Sequence, residues 1–173
     1  MKFIVALLTT CLIHTIRANV LGIDFGTKYI KATLVVPGKP FTIVEALDSN
    51  RKTQASVTFT EKERMFGSNS HLQSGRHPEA TFDNLLDYVG MKFDEEHMIQ
   101  IAGERFFFGK SIPDDRGQVG WLLKKGKGDD AEEEIFYTET LLAMILKDLK
   151  KLAEQQGGTV IHDAVITVPQ FFD

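Results

Sequence analysis

The stretch Asp24-Phe25-Gly26-Thr27-Lys28-Tyr29 gathers a carboxylate, a glycine, a hydroxyl, an ammonium and a phenol into one short segment. Gly26 has no Cβ, so an anion can approach the backbone there, and the amide N–H groups that follow can turn inward as a cradle. Thr27 adds a hydroxyl donor and Lys28 a positive charge, a set suited to phosphate. Asp24, closing an apolar run, suits a magnesium ion met through water, because that ion keeps several waters and takes few protein carboxylates. A plain reading competes: a tight hairpin also selects glycine for its backbone angles alone. Asp-x-Gly-Thr by itself does not decide between the two.

Holding such a turn in place requires strands on both sides, and the sequence supplies them. Residues 20–25 and 30–36 alternate apolar and polar side chains, and a third run at 41–47 follows Pro37-Gly38-Lys39-Pro40, which together predict an antiparallel meander. Residues 51–59 and 64–67 read as a short extended hairpin with a polar turn at 60–63. A short helix is expected over 68–75 and a second over 78–91. Arg105-Phe106-Phe107-Phe108-Gly109 reads as a strand buried on both faces.

Further along, Lys124, Lys125 and Lys127 pass abruptly into Asp129, Asp130, Glu132, Glu133 and Glu134. The reading is a solvated loop entering a helix, with the carboxylates complementing the positive end of the helix dipole; a basic phosphate-binding tract is the alternative. That helix is expected over 132–156, with Ile135, Leu142, Ile145, Leu149 and Leu152 at three- and four-residue spacing and Gly157-Gly158 as its stop. Ala164-Val165-Ile166-Thr167-Val168-Pro169 then reads as a buried strand closed by proline. Strands, a long helix and a further strand predict an α/β arrangement in which the helix covers one face of a sheet.

Composition narrows the possible functions. With 43% hydrophobic and 25% charged residues, the 173-residue chain has the make-up of a globular protein. A formal net charge of -4 argues against a general nucleic-acid or anionic-membrane binder. His71, His77, His97 and His162 show no metal-ligand spacing and are assigned to surface or core packing, and Trp121 to packing.

Residues 1–18 read as a secretory signal peptide, with basic Lys2, an apolar stretch over 3–16 and cleavage expected after Ala18; an uncleaved anchor is the alternative. Cys11, the one cysteine, leaves with that segment, so residues 19–173 contain no disulfide and depend on a packed core. No membrane association is expected after cleavage.

The stretches VLGIDFGTKYIKATLVV, SVTFTEKERMFGSNSHLQSGRHPEATF, EIFYTETLLAMILKDLKKLAEQ and HDAVITVPQFFD resemble, in this order and at family-like spacing, the first half of the ATPase domain of the seventy-kilodalton heat-shock chaperone superfamily. AVITVPQFFD is the most specific of them. Taken with the leader, the resemblance is to the large branch in the endoplasmic reticulum lumen, the glucose-regulated and hypoxia up-regulated chaperones.

The resemblance implies an actin-like and sugar-kinase-like ATPase fold, of which residues 19–173 form the N-terminal part of the nucleotide-binding domain, its first lobe. It implies ATP or ADP with Mg2+ as cofactors. Gly26, Thr27, Lys28 and Tyr29 become phosphate-loop residues under the β- and γ-phosphates, and Asp24 the residue facing the metal through water. It implies unfolded or nascent secretory proteins and the main lumenal heat-shock chaperone as partners, with no nucleic acid.

Two departures qualify the activity that the resemblance implies. Lys28 replaces the second threonine of the family turn. The lysine that the family carries after its Phe-Asp pair falls on Leu85 when aligned from Phe82-Asp83 and on Leu86 when aligned back from Gly90. Removing a cation aimed at developing phosphoryl charge typically costs orders of magnitude in rate, so nucleotide binding without brisk hydrolysis is expected, and no residue is assigned a catalytic role. The family's second phosphate turn and adenosine segment lie beyond residue 173, which marks the sequence as part of a longer protein with half a pocket. Two other readings stand beside this one: a sugar-kinase-like enzyme, and a non-enzymatic interaction module.

Overall fold

A computed structural model describes residues 19–105, 109–126 and 131–170. The first sheet is built on a hairpin of strands β1 (Val20–Phe25) and β2 (Tyr29–Val35), paired antiparallel from Val20↔Val35 to Phe25↔Ile30. Leu21, Ile23 and Phe25 of β1 and Ile30, Ala32 and Leu34 of β2 are buried. The period of two puts all six on one face, opposite Asp24 and Lys31.

Strand β3 (Thr42–Ile43) continues the meander along β2, and β4 (Thr53–Gln54) also pairs with β2, at Tyr29 and Ile30. The third strand is thus much shorter than the apolar run at 41–47 suggested; Phe41 and Leu47 are 75% and 78% exposed. Two small sheets follow. One contains β5 (Val57–Phe59), β6 (Arg64–Phe66) and β7 (Thr81–Phe82), with β5 in the centre. The other contains β8 (Lys110–Pro113), β9 (Val119–Lys125) and β10 (Glu132–Tyr137), with β9 in the centre.

Three α-helices complete the described residues: α1 (Gly67–Gln73), α2 (Glu95–Arg105) and α3 (Thr138–Gly157). Helix α3 buries Leu141, Leu142, Ile145, Leu149 and Ala153, the one-sided stripe that a period of 3.6 produces. Each fully buried leucine or isoleucine contributes roughly 1.5–3 kcal/mol. Gly158 ends the helix in the left-handed conformation, φ 59°, and its N–H donates to the Glu154 carbonyl, as glycine does at such caps.

Several expectations need correction. The helix expected over 132–156 begins only at Thr138, and Glu132–Tyr137 is a strand. Its acidic side chains serve cross-strand pairing rather than a helix dipole: Lys124 Nζ lies 3.0 Å from Glu133 Oε1, and Lys125 pairs with Glu134. Phe136 lies opposite Trp121 in the same ladder, while Ile135, counted as part of the helical stripe, is 53% exposed. Asp129 and Asp130 lie outside the described residues.

The helix expected over 78–91 is absent. That segment forms a 3-10 turn at Pro78–Ala80, then β7, then a second 3-10 turn at Leu85–Tyr88. Asn84, at φ 51°, stands between the last two and interrupts any continuous helix. Arg105, read as the start of a strand, instead ends α2; Phe106, Phe107 and Phe108 lie outside the described residues.

The last strand, β11 (Asp163–Ile166), runs parallel to β1 from Val20↔Asp163 to Ile23↔Ile166. It was expected to be buried, yet all four residues are exposed. The sheet order is β11-β1-β2-β3, with α3 providing the crossover to β11. No helix among the described residues is long and apolar enough to cross a membrane.

The core runs continuously through the three sheets. At its centre, Trp121 is fully buried, with Tyr88 edge-on at 5.1 Å and Phe82 at 5.9 Å; Phe59 and Phe136 stack at 5.0 Å. Edge-on and tilted arrangements of this kind favour the ring quadrupoles. The packing role assigned to Trp121 from sequence is what the structure shows.

Candidate functional site

The corner between β1 and β2 is closed by the Gly26 N–H donating to the Tyr29 carbonyl at 3.1 Å. A Cβ on Gly26 would stand 2.9 Å from that same carbonyl oxygen. Glycine is therefore required by close approach of backbone to backbone, and φ at this position is not in the left-handed region. With the Gly26 donor spent inside the turn, the donors available to an anion shift to Thr27 and Lys28, whose amides have no acceptor among the described residues.

The turn is anchored from two sides. At the base, the Thr167 hydroxyl accepts from the Phe25 N–H at 3.0 Å, and the Thr167 N–H donates to the Ile23 carbonyl at 3.0 Å. The segment just after β11 thus fixes the end of β1. On the other side, Ala55 N–H donates to the Lys28 carbonyl at 3.0 Å, next to the β2–β4 pairing.

Thr27, predicted as a hydroxyl donor to phosphate, donates to Asp87 Oδ1 at 2.8 Å. Asp87 belongs to the 3-10 turn Leu85–Tyr88, which sequence reasoning had assigned to a helix. Asp24 points to the open face of the sheet, where its Oδ2 lies 3.0 Å from Lys31 Nζ, with both side chains more than half exposed. A single accessible carboxylate two residues before the turn fits a magnesium ion held through water and phosphate oxygens, rather than a cage of protein ligands. No three His, Cys, Asp or Glu residues among those described come together as a metal-binding group.

Tyr29 brings its ring under two lysines: Lys52 Nζ is 4.3 Å from the centroid and Lys28 Nζ 5.9 Å. Lys52 and Asp87 were both missed by sequence reasoning. The signal for each is long-range: β4 spans two residues and Asp87 lies 60 positions from Thr27. Leu85 and Leu86, the two positions onto which the family lysine aligns, are 0% and 8% exposed.

Away from the turn, Asp114 and Asp148 are among the carboxylates displaced from their ordinary values. Burial pushes the Asp114 pKa up, but the Gln118 N–H at 2.8 Å and the Arg116 guanidinium at 2.7 and 2.9 Å outweigh it and hold the group below its ordinary 3.8. Burial raises Asp148 on α3, with Lys151 opposing.

A family model described as Hsp70 protein matches residues 20–173. The chain belongs to the Hsp70 family. Hypoxia up-regulated protein 1 of Xenopus laevis is 34% identical over 172 residues, covering 99% of this chain and 25% of the relative. The human protein of that name is 32% identical over 154 residues, covering 89% of this chain and 15% of the relative. Heat shock protein 70 homolog lhs1 of Schizosaccharomyces pombe is 31% identical over 163 residues, 92% of this chain and 18% of the relative. The chain thus spans a quarter or less of the length of these curated relatives. Its mixed α/β architecture is that of the first lobe of an Hsp70 actin-like ATPase domain, and this family membership sets aside the sugar-kinase reading.

Proposed function

We propose that residues 19–173 form the first lobe of a nucleotide-binding domain in a chaperone or co-chaperone of the endoplasmic reticulum lumen, following a cleaved leader at 1–18. The 26–29 turn would hold the β- and γ-phosphates of ATP or ADP through the Thr27 and Lys28 amides and the Lys28 ammonium, the Thr27 hydroxyl being committed to Asp87. Asp24 would meet Mg2+ through water, and that ion would neutralise phosphate charge when bound. Tyr29 supports the corner through its carbonyl and the lysines through its ring.

The observation that carries this reading is the pair of uncommitted amides beside a glycine that tolerates no Cβ, in a lobe of the Hsp70 family. The three relatives discussed above, whose names mention hypoxia or heat shock, support placing the protein among stress-related chaperones. Its partners would then be unfolded or nascent secretory proteins and the main lumenal heat-shock chaperone, toward which a nucleotide-exchange role is proposed.

Hydrolysis is proposed to be slow. Leu85 and Leu86 are packed in the core, and Asp87 from the same turn brings negative rather than positive charge to Thr27. Among the described residues, the Leu85–Tyr88 turn supplies no cation to the developing phosphoryl charge. Calorimetry with MgADP and single-turnover hydrolysis of MgATP by the mature polypeptide carrying these residues test the reading. Binding with turnover far below that of the main lumenal chaperone is expected. Brisk hydrolysis would overturn the slow-turnover claim, and affinity indifferent to the number of phosphates would overturn the site.

A further inference from the structure

We infer that Lys52 is a second phosphate-recognising cation of the same site, held ready by the face of Tyr29; the inference rests on the reading of the 26–29 turn as a phosphate site. Nothing in the Asp-x-Gly-Thr pattern includes Lys52. It reaches the turn because β4 pairs with the start of β2, Gln54 opposite Tyr29 and Thr53 opposite Ile30. The Ala55 N–H to Lys28 carbonyl bond locks that edge against the corner.

The charges around the hairpin are not distributed evenly. Lys31 is neutralised by Asp24 at 3.0 Å. Lys28 and Lys52 make no ion pair with a carboxylate among the described residues, yet both ammonium groups gather at the ring of Tyr29, at 5.9 and 4.3 Å. Two like charges brought toward one ring repel each other, and the ring quadrupole compensates only part of that. The balance is completed by an anion carrying more than one negative charge, placed where the Thr27 and Lys28 N–H groups also lack an acceptor among the described residues. A nucleoside di- or triphosphate has that chemistry; a nucleoside does not.

The site is polar in a directional sense as well. Asp87 holds Thr27, while Lys28 and Lys52 gather at Tyr29, so the charges draw a phosphate chain toward β4 and away from the carboxylate of the 85–88 turn. Lys52 is exposed and pays little to reach an incoming anion. Its charge is what matters, so arginine at this position should serve where glutamine does not.

The test uses the mature polypeptide carrying these residues, with MgADP and inorganic tripolyphosphate as probes and adenosine as the control. Lys52→Gln is expected to weaken MgADP and tripolyphosphate binding about tenfold at low salt, the scale of one lost charge-assisted hydrogen bond. Lys52→Arg should keep most of the affinity, and adenosine binding should not change. If Lys52→Gln binds MgADP as the wild type does while Gly26→Val abolishes binding, the role of Lys52 is overturned and the phosphate turn stands. If neither substitution changes MgADP binding, the phosphate turn and the role of Lys52 are both overturned.

Discussion

The Thr27 hydroxyl donates to the Asp87 carboxylate at 2.8 Å, joining the corner of the first hairpin to a 3-10 turn 60 residues away. Through this bond the position of the corner depends on the packing of Leu85, Leu86 and Tyr88, all buried. The half-buried Thr27 side chain is therefore braced by the aromatic core around Trp121, with which Tyr88 stacks.

Removing that brace has a measurable cost. Thr27→Val keeps the shape and deletes the donor, and should lower stability by about 1 kcal/mol, the usual net worth of such a bond. Asp87→Asn keeps an acceptor oxygen in place and should lower it less. Urea midpoints at constant slope measure both. A Thr27→Val protein as stable as the wild type would mean that the bond does not brace the corner in solution.

A second network is deeper. Trp121 Nε1 donates to the Thr138 hydroxyl at 2.9 Å, and that hydroxyl donates to the Val119 carbonyl at 2.8 Å, with both side chains buried. Thr138→Val deletes both bonds in a place water does not reach and should cost about 2 kcal/mol or more. Because Trp121 is the one tryptophan in the sequence, its emission reports the loss directly. The expected result is a lower unfolding midpoint with altered Trp121 emission in the folded state.

Much of this architecture is legible in the sequence, and the misses have physical causes. The β1–β2 hairpin and the Gly157-Gly158 stop follow from local patterns of period two and of helix capping, which need no knowledge of the rest of the chain. The strand at Glu132–Tyr137 was read as the start of a helix because its carboxylates look equally apt beside a helix dipole. Only the opposing Lys124 and Lys125, set by the β9–β10 register, reveal their use. The 78–91 segment failed for a related reason: Thr81 is drawn into β7 by its pairing with Thr58, and their hydroxyls lie 2.8 Å apart in a buried cluster with Ser70. At the site, the tight turn at Gly26, Thr27 and Lys28 between β1 and β2 was readable locally. Lys52 and Asp87 were not, since each arrives through a contact distant in sequence.

Acid stability follows from Asp114. Its folded pKa lies below the ordinary 3.8 because of Gln118 and Arg116, against the opposing effect of burial. A carboxylate depressed on folding contributes stability that is fully present above the unfolded value and is lost as pH falls through the folded one. The wild type should therefore lose stability below pH 3.8, and Asp114→Asn should show a shallower dependence there while being less stable at neutral pH. Thermal unfolding between pH 2 and pH 7 measures this; parallel profiles for the two proteins would contradict it.

The central claim is that the amides of Thr27 and Lys28 receive phosphate. The most direct measurement is an amide proton–nitrogen correlation spectrum of the labelled mature polypeptide, titrated with MgADP and, separately, with adenosine. The account predicts that the Thr27 and Lys28 signals shift strongly with MgADP and little with adenosine, as amide donors do when they acquire a charged acceptor. Thr27 and Lys28 signals that stay fixed while MgADP binds elsewhere would contradict it.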